Sequence, residues 1–174
     1  MSAKQGNNRN NRLIRLCRYG IFAALCIIFG YIESFVPLGF IAPGIKLGLS
    51  NAIALILVSF NDTKGAYLVN TTRILLSTLL FGSPFSLLFS LVGGLLSLTV
   101  TALLHKTGKF ATISISIAGG AAHNLFQLIT ALFVTGVGAV YYLPLLIICG
   151  AVSGALVGIV CTLIIKRLKK VLQS

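Results

Sequence analysis

The run LPLLIICGAVSGALVGIVCTLII, residues 143–165, is followed at once by KRLKK, residues 166–170. An uncharged apolar stretch of this length matches the roughly 20 residues that carry an α-helix across a bilayer. The Lys/Arg cluster behind it marks a cytoplasmic flank. The other end of the chain mirrors this arrangement: Lys4, Arg9, Arg12, Arg15 and Arg18 precede an apolar run that opens at Tyr19. Between them lie further apolar runs. The composition is 57% hydrophobic and 9% charged, with a mean hydropathy of +1.02, whereas a soluble domain carries roughly 25% charged residues. The reading is an all-α integral membrane protein.

Punctuation divides the chain into six predicted transmembrane helices. They cover residues 19–36, 45–60, 66–81, 85–104, 112–134 and 143–165, with breaks at PLGFIAPG (37–44), NDTKG (61–65), GSP (82–84), HKTGK (105–109) and GVG (136–138). Glycine, proline and short polar residues are what interrupt helices. Helices 2 and 3 are short for a hydrocarbon core about 30 Å thick. Residues 1–11, polar and rich in Asn, are expected to form a disordered cytoplasmic tail. Residues 12–170 form the transmembrane domain, with 12–18 lying along the interface, and 171–174 end the chain as a second tail. An even number of spans brings both basic ends to one side, together with Lys64, Lys106 and Lys109, and leaves only Lys46 on the other. The topology is therefore N-in, C-in at the cell membrane.

The formal charge of +12 does not point to nucleic acid, because the cations sit at the ends of spans, where anionic lipid is their partner. Cys17, Cys26, Cys149 and Cys161 form no CxxC pair and read as small apolar side chains. A cleavable signal peptide is not expected, since neither a small-residue cleavage pattern nor a soluble domain follows the first run. Small residues recur at four-residue spacing, at Gly20 and Ala24 and again at Gly150, Gly154 and Gly158. Such a face lets helix backbones approach closely. It either packs inside the bundle or docks a partner subunit.

Polar groups inside spans are costly, so each needs a reason. Arg73 lies mid-helix and cannot shed its proton. It either pairs with Glu33 or, with Lys46, receives an anionic ligand group. Lys46 opens helix 2, where a helix N-terminus already favours anions; it otherwise snorkels to the interface. Asn51 follows in the same half. Asn124 and Gln127 share a face of helix 5 beside His123, either as interhelical hydrogen-bonding groups or as cavity wall. Glu33, Lys46, Asn51, Arg73, His123, Asn124 and Gln127 are thus the candidate substrate-binding set, converging from four helices on the outer half of the membrane. No metal site is expected, because no second ligand is spaced to assist His123.

The inventory disfavours catalysis. No phosphate-binding Walker sequence occurs. The two acids, Glu33 and Asp62, cannot build the Asp-rich magnesium site that ionising a prenyl diphosphate requires, and neither His has a carboxylate partner in this layout. No cofactor is implied.

Three stretches carry a resemblance: PGIKLGLSN (43–51), SLVGGLLSL (90–98) and GAAHNLFQL (120–128). They resemble the Gx transporter family, also labelled heptaprenyl diphosphate synthase component I, over residues 33–131. That family is similar to the substrate-binding S components of energy-coupling factor (ECF) transporters, six-helix proteins with a small-residue face on helix 1. Gly20 and Ala24 match that face, with Gly20 where Ala is usual. The resemblance implies a subunit that takes a vitamin-like solute from outside and docks, through Gly20 and Ala24, on a coupling subunit driven by two ATPases. It leaves the solute open. The competing reading is a non-catalytic membrane subunit of a prenyl diphosphate synthase or of a flavin- or quinone-linked electron-transfer assembly.

Overall fold

The structure, a computed structural model, describes residues 2–35, 48–135 and 137–173. They form six α-helices: α1 Ser2–Ser34, α2 Leu49–Ser59, α3 Thr63–Phe81, α4 Pro84–Lys106, α5 Thr112–Thr135 and α6 Leu143–Gln173, with a 3-10 helix, Val137–Tyr142, before α6. The all-α bundle agrees with the sequence reading. Four of the helical stretches, residues 12–33, 84–106, 112–134 and 140–171, are long and apolar enough to cross a membrane. α2 has 11 residues, about 16 Å of helix axis, and the start expected for it at 45–47 lies outside the described residues, as does the predicted turn at 37–44. α3 is longer but carries Asn70, Thr71, Thr72 and Arg73 at its centre.

Two boundaries differ from expectation. Residues 2–11, expected as a disordered tail, continue α1 as helix. Arg12 to Arg18 already form helical turns leading into the span, and extending an existing helix is far easier than nucleating one. At the other end α6 runs eight residues beyond Ile165, because Lys, Arg and Leu are strong helix formers and cations suit a helix C-terminus.

The local signals that end helices are in place. Asp62 caps α3 by accepting from the Gly65 N–H at 3.1 Å. Ser83 and Ser86 form a reciprocal capping box at the start of α4, with Pro84 in its first turn. Gly48 precedes α2 with φ +78°, a left-handed conformation that side chains disfavour.

The basic segments gather at one end of the bundle. There Asp62 accepts from the Tyr19 hydroxyl, at 2.7 Å on Oδ2, and lies 3.6 Å from Arg18, tying α1 to the α2–α3 turn. Two apolar clusters fill the same end: one around Ala23, Val58, Ala66 and Ala102, the other around Ala52, Ile115, Cys161 and Ile165. Up to Ile165 α6 is almost wholly apolar and uses its two sides differently. Gly150, Gly154 and Gly158 face α5 in an antiparallel seam, while Ile148, Val152, Leu156, Ile159 and Leu163 are exposed. An outward apolar face of this kind belongs in lipid, and the chain is a membrane protein.

Candidate functional site

Away from the packed basic end the helices part around a cavity of about 660 Å³. Its construction starts at Arg73. Helical spacing puts Asn70 one turn before it, and the Arg73 Nη2 donates to Asn70 Oδ1 at 3.0 Å. Nη1 donates to Ser50 Oγ on α2 at 2.6 Å. Asn70 is itself fixed, donating from Nδ2 to the Gly94 carbonyl on α4 at 3.2 Å. Cys26 on α1 donates to the Ser50 carbonyl at 3.5 Å. Four helices thereby hold one guanidinium.

That guanidinium has no direct ion-pair partner among the described residues, although the Glu33 carboxylate acts on its charge from a distance. Among the described residues its hydrogen bonds go to neutral oxygens rather than to a carboxylate, and Nε is buried with no hydrogen-bond partner. Of the two fates open to Arg73 in the sequence, the hydrogen bonds do not follow the pairing with Glu33. The Glu33 carboxylate accepts from the Gly48 backbone N–H. A cation held in this way in a low-dielectric span costs free energy unless water or an anion reaches it, and Arg73 lines the cavity.

Glu33, Asn51, Arg73, His123, Asn124 and Gln127 all line this one space. Lys46 lies outside the described residues. Gly20 and Ala24 do not contribute to the cavity. They sit exposed on α1, and a Cβ added at Gly20 would meet nothing within 4 Å. The α6 glycines behave in the opposite way. A Cβ at Gly154 would come within 2.5 Å of the Ser116 carbonyl, and one at Gly150 within 2.5 Å of the Gly120 carbonyl, so this ladder is internal packing.

The polar residues of α5 divide their roles. Asn124, buried, donates from Nδ2 to the Leu146 carbonyl on α6 at 2.7 Å; it ties the two helices while touching the cavity. His123 Nδ1 lies 3.4 Å from Ser97 Oγ. Gln127 packs over Gly93, where a Cβ would fall 2.6 Å from its Cγ. Among the described residues no three His, Cys, Asp or Glu side chains gather as metal ligands.

Sequence reasoning missed Ser50 and Asn70, which hold Arg73, and a hydroxyl wall on α4 and its cap. Ser83, Ser86, Ser90, Ser97 and Thr101 all line the cavity, with Gly94 completing the row. Their spacing of three, four, four, three and four residues places them on one helix face. From Ser86 to Thr101 the row covers about 22 Å of helix axis. The spacing was the available signal, but serine and threonine in spans are cheap and back-bond to their own helix, so they raise no alarm one at a time. Ser77, Thr78, Ser116 and Ser153 add hydroxyls from α3, α5 and α6.

The arrangement can take up a polar molecule carrying negative charge. Comparison with known proteins adds one match: the family described as heptaprenyl diphosphate synthase component I fits residues 22–164. No curated protein matches the chain, and no solved structure does.

Proposed function

The chain belongs to the heptaprenyl diphosphate synthase component I family, and from that premise we propose that it is the membrane-embedded solute-binding subunit of a transporter. It resembles the S components of ECF transporters in this role. The solute is small and anionic or vitamin-like. It enters the cavity from outside, and partner ATPases acting through a membrane coupling subunit power its passage. The chain sits in the cell membrane with both ends in the cytoplasm, and the basic end of the bundle is the inner face. It catalyses no reaction itself.

The observation that carries this reading is the lone guanidinium of Arg73. It is held by Ser50 and Asn70, left with an unpartnered Nε, and set in a cavity of about 660 Å³. Ligand pockets fall in the range of roughly 300–1,000 Å³. Arg73 makes its hydrogen bonds to neutral oxygens, with the Glu33 carboxylate acting on its charge from a distance, and so keeps capacity for an anionic guest.

The test is thermal unfolding of the purified chain against a panel of vitamins, flavins and isoprenoid phosphates, repeated on Arg73→Ala. A saturable rise in the midpoint that the variant loses supports the reading. A panel without effect, or a variant that responds equally, removes it.

The family description favours a second reading, a non-catalytic membrane subunit of a prenyl diphosphate synthase. Its name denotes one component of an assembly, and the basic end could anchor a soluble partner. Isolation of the complex from native membranes separates the two. Recovery of a prenyltransferase without ATPases selects the second.

A further inference from the structure

We infer that the solute is a hydroxyl-rich molecule with a single anionic group, of the sugar-acid or sugar-phosphate kind, and neither a flat aromatic cofactor nor an isoprenoid diphosphate. This rests on the solute-binding reading above and specifies its substrate class.

The first observation is the direction of the wall's hydrogen bonds. Ser97 Oγ donates to the Gly94 carbonyl at 3.2 Å, Thr101 Oγ1 to the Ser97 carbonyl at 2.9 Å and Ser153 Oγ to the Gly150 carbonyl at 3.1 Å. Each of these three has given its one hydrogen to its own helix's backbone and keeps lone pairs. Ser83 and Ser86 do the reverse: each hydroxyl oxygen accepts the other residue's backbone N–H and keeps its hydrogen to donate. A wall that offers both acceptors and donors is matched by a guest whose polar groups are themselves hydroxyls.

The second observation is charge. Arg73 is the one cation among the described lining residues, apart from the imidazole of His123, and Glu33 lines the same space. One guanidinium suits one carboxylate or phosphate. A diphosphate would bring further negative charge into a space where the other charged group among the described lining residues is the Glu33 carboxylate.

The third is what the wall lacks. Among the described lining residues there is no Phe, Tyr or Trp, the side chains on which planar rings stack. The apolar lining reduces to Ala54, Leu55, Ile74, Leu98 and Val157. Four of these belong to the packed clusters at the basic end. They form a floor, and among the described lining residues no continuous apolar path extends from it for a prenyl tail, which needs continuous apolar contact to leave water or lipid.

The experiment measures thermal unfolding of the full chain in lipid nanodiscs with five probes: gluconate, glucose 6-phosphate, sorbitol, flavin mononucleotide and farnesyl diphosphate. Gluconate or glucose 6-phosphate is expected to raise the midpoint saturably, and which of the two acts more strongly distinguishes carboxylate from phosphate. Sorbitol, the same polyol without the anion, is expected to bind at least tenfold more weakly. Arg73→Gln should erase that tenfold difference. Ser90→Val should weaken gluconate, glucose 6-phosphate and sorbitol severalfold with the ligand-free midpoint unchanged, and it keeps the test decisive if Arg73→Gln does not fold. Saturable stabilisation by flavin mononucleotide or farnesyl diphosphate alone overturns the class and leaves the cavity as a solute site. Silence from all five probes overturns the class as well. If the vitamin panel is equally silent, the solute-binding reading falls with it.

Discussion

Helix α5 borders two regions built on opposite rules. Toward α6 it forms a seam in which backbone meets backbone: Gly120 lies against Gly150, and Ser116 against Gly154, with the Asn124 amide bonded across to Leu146. Toward α3 and α4 it forms the wall of a cavity of about 660 Å³, across which a guanidinium retains an unpartnered nitrogen. The seam satisfies its groups and excludes everything else. The cavity leaves polar capacity unspent. Lipid gives no hydrophobic push between helices, so close packing of small residues is what holds such a bundle together. A bundle held firmly along one seam can tolerate a hollow on the other side of the same helix.

The contrast predicts effects of different size and sign. The largest is expected in the seam. Gly154→Leu forces a side chain into the Ser116 carbonyl, which cannot yield without separating the helices; we expect a loss of at least about 3 kcal/mol, read as loss of monodisperse protein or a collapsed unfolding midpoint. In the cavity the opposing terms nearly cancel. Arg73→Met removes a cation costing about 3 kcal/mol in a span together with two charge-assisted hydrogen bonds of about 1.5 kcal/mol each, so the ligand-free midpoint should hardly move while the response to anions is lost. A clear destabilisation would show that the guanidinium is structural. Gly20→Ala, on the open face of α1, should gain about 0.5–1 kcal/mol from helix propensity alone; a loss comparable with the seam variant would mean that this face is packed after all. Smallest is Ser90→Val, expected within about 0.5 kcal/mol in denaturation of the ligand-free chain.

The sequence announces its helices because apolar runs and basic flanks report directly on a bilayer. It also points to the cavity wherever polarity is expensive: Glu33, Asn51, Arg73, His123, Asn124 and Gln127 each stand out against an apolar background, and the fold brings all six to one space. Cheap polarity was illegible by the same logic. Ser90 and Ser97 differ little in transfer cost from alanine, and only their common face gives them meaning. Asn70 was missed beside the conspicuous Arg73, though it is the residue that fixes Arg73 to α4. The direction of Arg73's hydrogen bonds, to Ser50 and Asn70, depends on how α2 lies across α3, which no local pattern encodes. Residues 2–11 misled because Asn is a poor helix former in isolation, while the turns that follow supply the nucleus.

The chain's two acidic side chains both fasten α1. Midway along it Tyr19 donates to Asp62 at the α2–α3 turn; at its far end Glu33 takes the Gly48 N–H at the threshold of α2. Between these two pins Cys26 reaches the Ser50 carbonyl, and the Ser50 hydroxyl receives Arg73. Helices α1 and α2 therefore form a braced frame, and a tilt imposed on the lipid-facing side of α1 is geared through Ser50 to the guanidinium. Leverage applied at the rim of the protein would in this way change the grip at its centre.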